Sequence, residues 1–353
     1  MGGATRMHVY AVTPETVVRS HEPAQDLRTR LAHTAQSCEE AGWQGILVPH
    51  NLHEVDPWMV ATHLGAVTRH LIPLIAVQPA CTPPHTAAAC ASAYASLYQR
   101  PLFFNLVAGA RDDEMRQIGD TLSHDQRYDR LREYGHVLRA LLGGEKVNHE
   151  GEYYSYRNHR LEPCPDVLRQ CKIFVAGSSP ASLSVATDIA DVIVTHPAPY
   201  AEWRDRFLTP LQERGFRGEL GIRIGVVCRP ETDGAWNLAE ARFRQTWLGR
   251  QETLLKAQSQ NVWSRELAER AVAADETTGG SVDASARDPY WLGAFQSGRA
   301  SAPFLVGSYA EVGARLGEYL RAGVGHVLLN GVDDDDYQFT QTGLETAASL
   351  LGR

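Results

Sequence analysis

Polar and titratable side chains collect at the ends of short apolar runs along this sequence. One cluster, Pro49-His50-Asn51-Leu52-His53-Glu54, closes the run Gly45–Pro49. Its two imidazoles and one carboxylate would supply a proton donor and an acceptor near neutral pH. The spacing HxxHE is not the HExxH of a zinc-binding helix, and the segment reads as a loop, so no metal site is expected. His50, His53 and Glu54 stand as an acid–base set or as an ordinary polar loop.

Gly177-Ser178-Ser179 follows the apolar run Lys172–Ala176 and precedes the helical stretch Ala181–Thr187. Amides and hydroxyls at a helix start suit a phosphate, but a serine cap alone would give the same pattern. His124-Asp125-Gln126-Arg127-Tyr128 opens a longer helical stretch. Asp125 would cap that helix, and His124 and Tyr128, four apart, share a face. They would give an anion two donors, or simply decorate a surface helix. Further run ends carry Gln78-Pro79, Asn105 to Gly109, Thr195-His196-Pro197, Arg223 and Asn330-Gly331.

The elements that must position these groups follow from hydrophobic patterning. Eight short runs read as strands: His8–Val12, Gly45–Pro49, Leu71–Val77, Leu102–Val107, Lys172–Ala176, Val192–Thr195, Ile222–Val227 and Val327–Leu329. They are nearly continuous rather than alternating, as strands buried on both faces of a parallel sheet are. Helical stretches separate them, among them Asp26–Ala41, Pro57–Thr68, His85–Tyr98, Arg127–Leu142, Ala201–Gly215 and Tyr309–Ala322. The alternation predicts an α/β fold, a (β/α)8 TIM barrel with insertions. A doubly wound sheet would show a glycine-rich turn after its first strand, where this chain has Thr13-Pro14-Glu15.

A single barrel domain over residues 1–353 is expected, with two interruptions. Lys146–Arg157 reads as a hairpin, its tyrosines favouring strand and Glu150-Gly151 the turn. Gln251 to about Ala302 is polar, contains Thr277-Thr278-Gly279-Gly280-Ser281, and is expected to be a mobile lid or disordered.

Composition narrows the function classes. The chain has 353 residues, 43% of them hydrophobic, which suffices for a large core. A net charge of −8 argues against nucleic acid or an anionic membrane as the main partner. No leader-like apolar segment opens the chain, and a cytoplasmic protein is expected. Six scattered cysteines without a CxxC pair read as small buried or half-buried thiols. The run Asp333–Asp336 reads as a solvated loop, lacking the alternation and glycine of a calcium loop.

Seven collinear stretches resemble the bacterial-luciferase-like flavin-dependent monooxygenases, and within them the alkanesulfonate monooxygenase branch. These are Ala41–Pro49, Leu71–Pro79, Arg100–Gly109, Leu122–Arg130, Leu141–Tyr154, Phe174–Ser182 and Gly221–Val227. The resemblance implies a two-component enzyme that uses reduced FMN (FMNH2) and O2 to oxygenate a small organic substrate through a C4a-peroxyflavin. It also implies a separate flavin reductase and a homodimer or homotetramer. Phosphate binding would fall to Gly177, Ser178 and Ser179 with His124 and Tyr128. Asn105 matches a contact to the flavin ring, and Ala76-Val77, followed by Gln78, matches a non-prolyl cis peptide beneath it. Arg223, with His196, His50, His53 and Glu54, would hold the reacting groups or move a proton.

Departures from that branch bear on the substrate. Glu54 stands where a cysteine is common, Gly225 where a histidine is common, and His196 where an aromatic is usual. Asn330-Gly331 offers no tyrosine after the eighth strand. A substrate other than a sulfonate is expected, plausibly in specialised metabolism. A desulfonating monooxygenase, a deazaflavin-dependent hydride-transfer enzyme, a non-catalytic flavin-binding protein and a non-flavin barrel holding a phosphorylated substrate are the alternatives.

Overall fold

The computed structural model describes residues 7–14, 16, 24–109, 112–258, 262–277 and 287–351. Its strands are β1 (His8–Val12), β2 (Gly45–Val48), β3 (Ile72–Val77), β4 (Phe103–Leu106), β5 (Val147–Glu150), β6 (Ser155–His159), β7 (Ile173–Ala176) and β8 (Val192–Thr195). They continue with β9 (Glu219–Arg229), β10 (Tyr290–Trp291), β11 (Phe304–Ser308) and β12 (Val324–Asn330). Eight of them, in the order β9-β12-β1-β2-β3-β4-β7-β8 with β8 also paired to β9, make a closed (β/α)8 barrel. All eight runs of the sequence analysis lie in these strands. Each is apolar enough to lose water on both faces, which is why β2, β4, β8 and β12 are buried throughout.

The chain divides into two compact units. One takes in the described residues of Val12–Val194 and Arg214–Gly218. Within it β2, β3, β4, β7 and β8 pair in parallel, with Ala76 opposite Asn105 and Asn105 opposite Phe174. The expected hairpin is the antiparallel pair β5–β6. Asp56 caps the helix Pro57–Val67 by accepting from the amides of Trp58 and Met59, and Pro57 occupies the first turn, where a missing N–H is no loss.

The other unit takes in the described residues of Met1–Ala11, Thr195–Glu213 and Glu219–Arg353. Here β1, β12, β9 and β11 pair in parallel and β10 adds antiparallel to β11. The strands β10 and β11 are not among the eight expected runs. They extend β9, whose eleven residues reach to Arg229, and bury Phe304 and Val306 against Val227, Trp236 and Phe243.

Two expectations change. The segment from Gln251 to Ala302 is largely folded where it is described, with helices Trp247–Lys256, Val262–Thr277 and Gly293–Gln296. Leu267, Ala268 and Ala271 recur on one helical face and pack with Leu292 and Phe295 into a small core, a pattern that overall polarity conceals. Thr278-Gly279-Gly280-Ser281 lies outside the described residues. The acidic run is not uniformly solvated either. Asp336 is buried and accepts from Arg229 and Arg242, both at 2.5 Å, while Arg242 also reaches Asp333 at 2.9 Å.

No helix among the described residues is long and apolar enough to cross a membrane. All six cysteines are free thiols, with Cys38, Cys171 and Cys228 buried, Cys90 and Cys164 half-buried and Cys81 exposed.

Removing one member of a buried ion pair leaves an uncompensated charge, so Asp336→Ala should cost roughly 3–5 kcal/mol of stability. Asp335→Ala, at an exposed neighbour, should change it by less than about 0.5 kcal/mol. Urea unfolding of both variants checks the contrast.

Candidate active site

In the Val12–Val194 unit, the exit of β7 gathers the Gly177-Ser178-Ser179 turn and Tyr128. Gly177 takes φ +149°, and a Cβ there would stand 2.7 Å from the Ser182 side chain and 3.2 Å from the Tyr128 hydroxyl. Only glycine lets the backbone pass so close to these groups. Ser179 caps the helix Pro180–Ile189, accepting from the Ser182 amide at 3.2 Å. The capping reading of Gly177-Ser178-Ser179 therefore holds for Ser179. Ser179 is the cap, while the Ser178 Oγ is buried with no hydrogen-bond partner. A buried hydroxyl in that state costs free energy until something pairs with it.

Tyr128 and His124 lie on the helix His124–Leu142, with ring centroids 5.0 Å apart. Burial pushes the Tyr128 phenol up, partly offset by hydrogen bonding to Ser179 and Ser182, so it stays a neutral donor. The cap of this helix differs from expectation. Ser123 and Gln126 form a capping box, whereas Asp125 instead binds His124 Nδ1 at 2.8 Å. In that contact a neutral ring donates from Nδ1, which leaves Nε2 as an acceptor. Arg127 is buried and anchors the helix start through Asp112 at 2.7 Å and the Leu122 carbonyl at 3.0 Å.

Asn105, in β4, is buried with an unpartnered Oδ1. Its neighbour across the ladder is Ala76, followed by Val77, both buried. The Ala76–Val77 bond is trans; the cis bond among the described residues is Glu162-Pro163. Both residues stay in register with β4, and the Val77 carbonyl accepts from Val107 at 3.1 Å, so the ladder holds that peptide in the ordinary extended form. Gln78 is buried, its Nε2 2.9 Å from Met115 Sδ.

The exit of β2 is less uniform. His50 is half-buried, and desolvation depresses its pKa despite Asp56, Glu114 and Glu54 nearby, so it is a neutral imidazole. His53 is exposed. Glu54 accepts from the Thr16 hydroxyl at 2.8 Å and the Thr16 amide at 3.3 Å, which ties the carboxylate to a threonine rather than to His53.

The second unit carries a half-buried cation. Arg223, in β9, donates Nε and Nη2 to Asn330 Oδ1 at 3.0 and 2.8 Å. Among the described residues it makes no ion pair, and burial lowers its pKa to about 10, which still leaves it charged at neutral pH. His196, just past β8, stacks on Trp263 with centroids 4.0 Å apart and planes 10° apart. Its Nε2 is buried without a partner, and desolvation, with Arg223 adding to it, depresses its pKa well below the ordinary histidine range. A charged guanidinium and a neutral imidazole together suit an anion or a polarised carbonyl. The Phe304 ring fills the space where any side chain on Gly225 would go.

Sequence reasoning named Arg223, His196 and Asn330, but not Trp263 or Phe304. A tryptophan at the head of an otherwise polar stretch was the available signal for Trp263. Phe304 is identifiable only through its register opposite Gly225.

Comparison with known proteins follows the same lines. Residues 7–326 match the family model described as luciferase-like monooxygenase. A monooxygenase of Niallia circulans acting on 4-(gamma-L-glutamylamino)butanoyl-[BtrI acyl-carrier protein] is 34% identical over 321 residues, 90% of this chain and 91% of the relative. Among solved structures, EDTA monooxygenase from Chelativorans sp. BNC1 superposes with TM-score 0.71 at 14% identity, over 98% of this chain and 93% of that one. The oxygenating constituent of 3,6-diketocamphane monooxygenase from Pseudomonas putida, in complex with FMN, gives 0.68 at 17% identity over 98% of each chain.

Two outcomes follow from this geometry. Ser178→Ala should leave the ligand-free protein as stable as the wild type or up to about 1 kcal/mol more stable, because it removes an unpaired buried hydroxyl, whereas Ser179→Ala should cost about 1 kcal/mol as a lost cap. Thermal melts of the two variants test this. The depressed His196 pKa makes the unfolded state bind a proton first as pH falls. Its contribution to stability is therefore present above the unfolded histidine pKa and is lost as pH drops from about 7 towards 5. His196→Asn should flatten that slope in urea titrations; an unchanged slope would mean that the imidazole is not desolvated.

Proposed function

Because the chain belongs to the luciferase-like monooxygenase family, we propose that it is the oxygenase of a two-component system. In this reading a separate flavin reductase supplies reduced FMN, and O2 is the co-substrate for oxygenation of a small organic anion. The observation that carries the flavin part is the buried, unpartnered Ser178 hydroxyl beside Gly177 and Tyr128, at the N-terminus of a helix. A phosphate group would satisfy it, with the helix-end amides contributing further donors and His124 lining the site.

Asn105 would give the flavin ring its hydrogen bond, with Ala76, Val77 and Gln78 as its buried neighbours. Bound reduced FMN supplies the two electrons with which O2 is activated, so that one oxygen atom enters the substrate and the other leaves as water. Arg223 would hold the substrate's anionic group, since among the described residues of its unit no carboxylate neutralises it. His196, neutral and unpaired at Nε2, is the group for accepting a proton; His50 is a second neutral base, and His53 and Glu54 are the remaining candidates.

Phe304 against Gly225 leaves no room for the histidine common in the alkanesulfonate branch, which speaks against a sulfonate substrate. The Niallia circulans relative acts on an acyl group carried by a carrier protein, so carrier-bound acyl chains are the first substrates to try. The reading also includes a single barrel domain, a homodimer or homotetramer, and a lid formed by residues 251–302.

Anaerobic titration with reduced FMN, followed by mixing with oxygenated buffer, tests the reading. Reduced FMN should bind saturably, and Ser178→Ala should weaken it by about tenfold or more, the worth of one hydrogen bond to a charged group. Oxygenated buffer alone should release hydrogen peroxide in place of product. Binding of a reduced deazaflavin with none of FMN would overturn the oxygenase assignment.

A further inference from the structure

The helix Val262–Thr277 starts beside a residue of the candidate site. Its Trp263 indole lies face to face on the His196 imidazole, 4.0 Å away and nearly parallel. Three contacts hold this helix and its surroundings in place. Arg270 pairs with Glu202 at 2.6 Å. The Tyr290 hydroxyl donates to the carbonyl of Pro197, the residue after His196, at 3.0 Å. Leu267, Ala268 and Ala271 close a small core with Leu292 and Phe295. On the other side, the Tyr319 hydroxyl donates to the Ala198 carbonyl at 2.6 Å. The backbone from His196 to Ala198 is thus pinned, and the imidazole plane remains for the indole to fix.

A stacked ring covers one face of an imidazole and restricts its rotation, but it takes none of its hydrogen bonds. That matches what is seen: the Nε2 edge is buried and has no partner. An aromatic packed there only for its volume would not need the ring planes to align.

We propose that Trp263 is a positioning residue, its indole fixing the plane of the His196 imidazole so that Nε2 meets the substrate. The inference rests on the reading of His196 as a substrate-facing group, and it makes the helix Val262–Thr277 part of the substrate pocket. The substrate it selects is an anion with an oxygen that can reach the imidazole edge while Arg223 holds its charge.

Histidine-selective 13C and 15N labelling gives a readout independent of flavin and of turnover, with the His196→Asn variant identifying the signal. The wild type and Trp263→Phe should show His196 ring protons shifted upfield and one dominant tautomer. Trp263→Leu, apolar but smaller and without a ring, should lose both while remaining folded. Titration with sodium butyrate, a probe carboxylate, should perturb the His196 signals saturably in the wild type. Trp263→Leu should bind it about threefold to tenfold more weakly, the factor an aromatic pair contributes, and Trp263→Phe should bind it normally. An unshifted His196 in the wild type, no butyrate response, or equal affinity in Trp263→Leu would each overturn the proposal. Because no measurement uses FMN, failure of FMN to bind would sink the flavin assignment and leave this result readable.

Discussion

Taking a guanidinium out of water costs several kilocalories per mole unless an anion or enough acceptors replace the water. Arg223, half-buried, is partly in that condition, and among the described residues the Oδ1 of Asn330 accepts two of its N–H groups. Much of the second unit serves this arrangement. The β9–β12 register sets Arg223 opposite Leu328 and Gly225 opposite Asn330, so the two polar side chains emerge within reach of each other. Phe304 closes the space above Gly225. Beyond it, Arg229 at the end of β9 is tied through Asp336 to Arg242, which anchors the strand to the following helix and to the C-terminal one. A charge kept short of partners inside a rigid frame is the reason Arg223 is proposed to hold an anion.

The first unit, by contrast, gathers neutral polar groups at a helix start. Ser178 and Tyr128 bring hydroxyls there, the Gly177 N–H is held by the Val194 carbonyl, and the nearby arginines are already committed, Arg127 to Asp112 and Arg130 to Asp120. Neutral donors attract a phosphate through directed hydrogen bonds and the helix-end amides, and they leave the ligand-free protein with no unpaired charge to desolvate.

Between residues 247 and 302 the chain departs most from a plain barrel. Its helices carry their own apolar face, and the tryptophan they present stacks on a histidine that replaces the usual aromatic. Histidine alone would leave a mobile, hydratable ring at this position. Paired with an indole it becomes a ring of fixed plane and low basicity, so the replacement and the insertion make sense only together.

Much of this protein is legible in its sequence, because strands buried on both faces must be continuous apolar runs and their ends must be polar. That reasoning locates all eight barrel strands, the Gly177-Ser178-Ser179 turn, Asn105, Arg223 and His196. It also contained, unread, the Ser123–Gln126 capping box. What tertiary structure alone decided are the pairings between distant residues: Trp263 with His196, Phe304 with Gly225, Asp336 with two arginines, Glu54 with Thr16. Tertiary structure also decided the trans geometry at Ala76–Val77, where ladder pairing governs. Local patterning records which faces lose water, and that is a property of neighbouring residues. Which lone side chain meets which depends on register and on the packing of elements up to about a hundred residues apart, as with Arg223 and Asn330, and no local pattern encodes it.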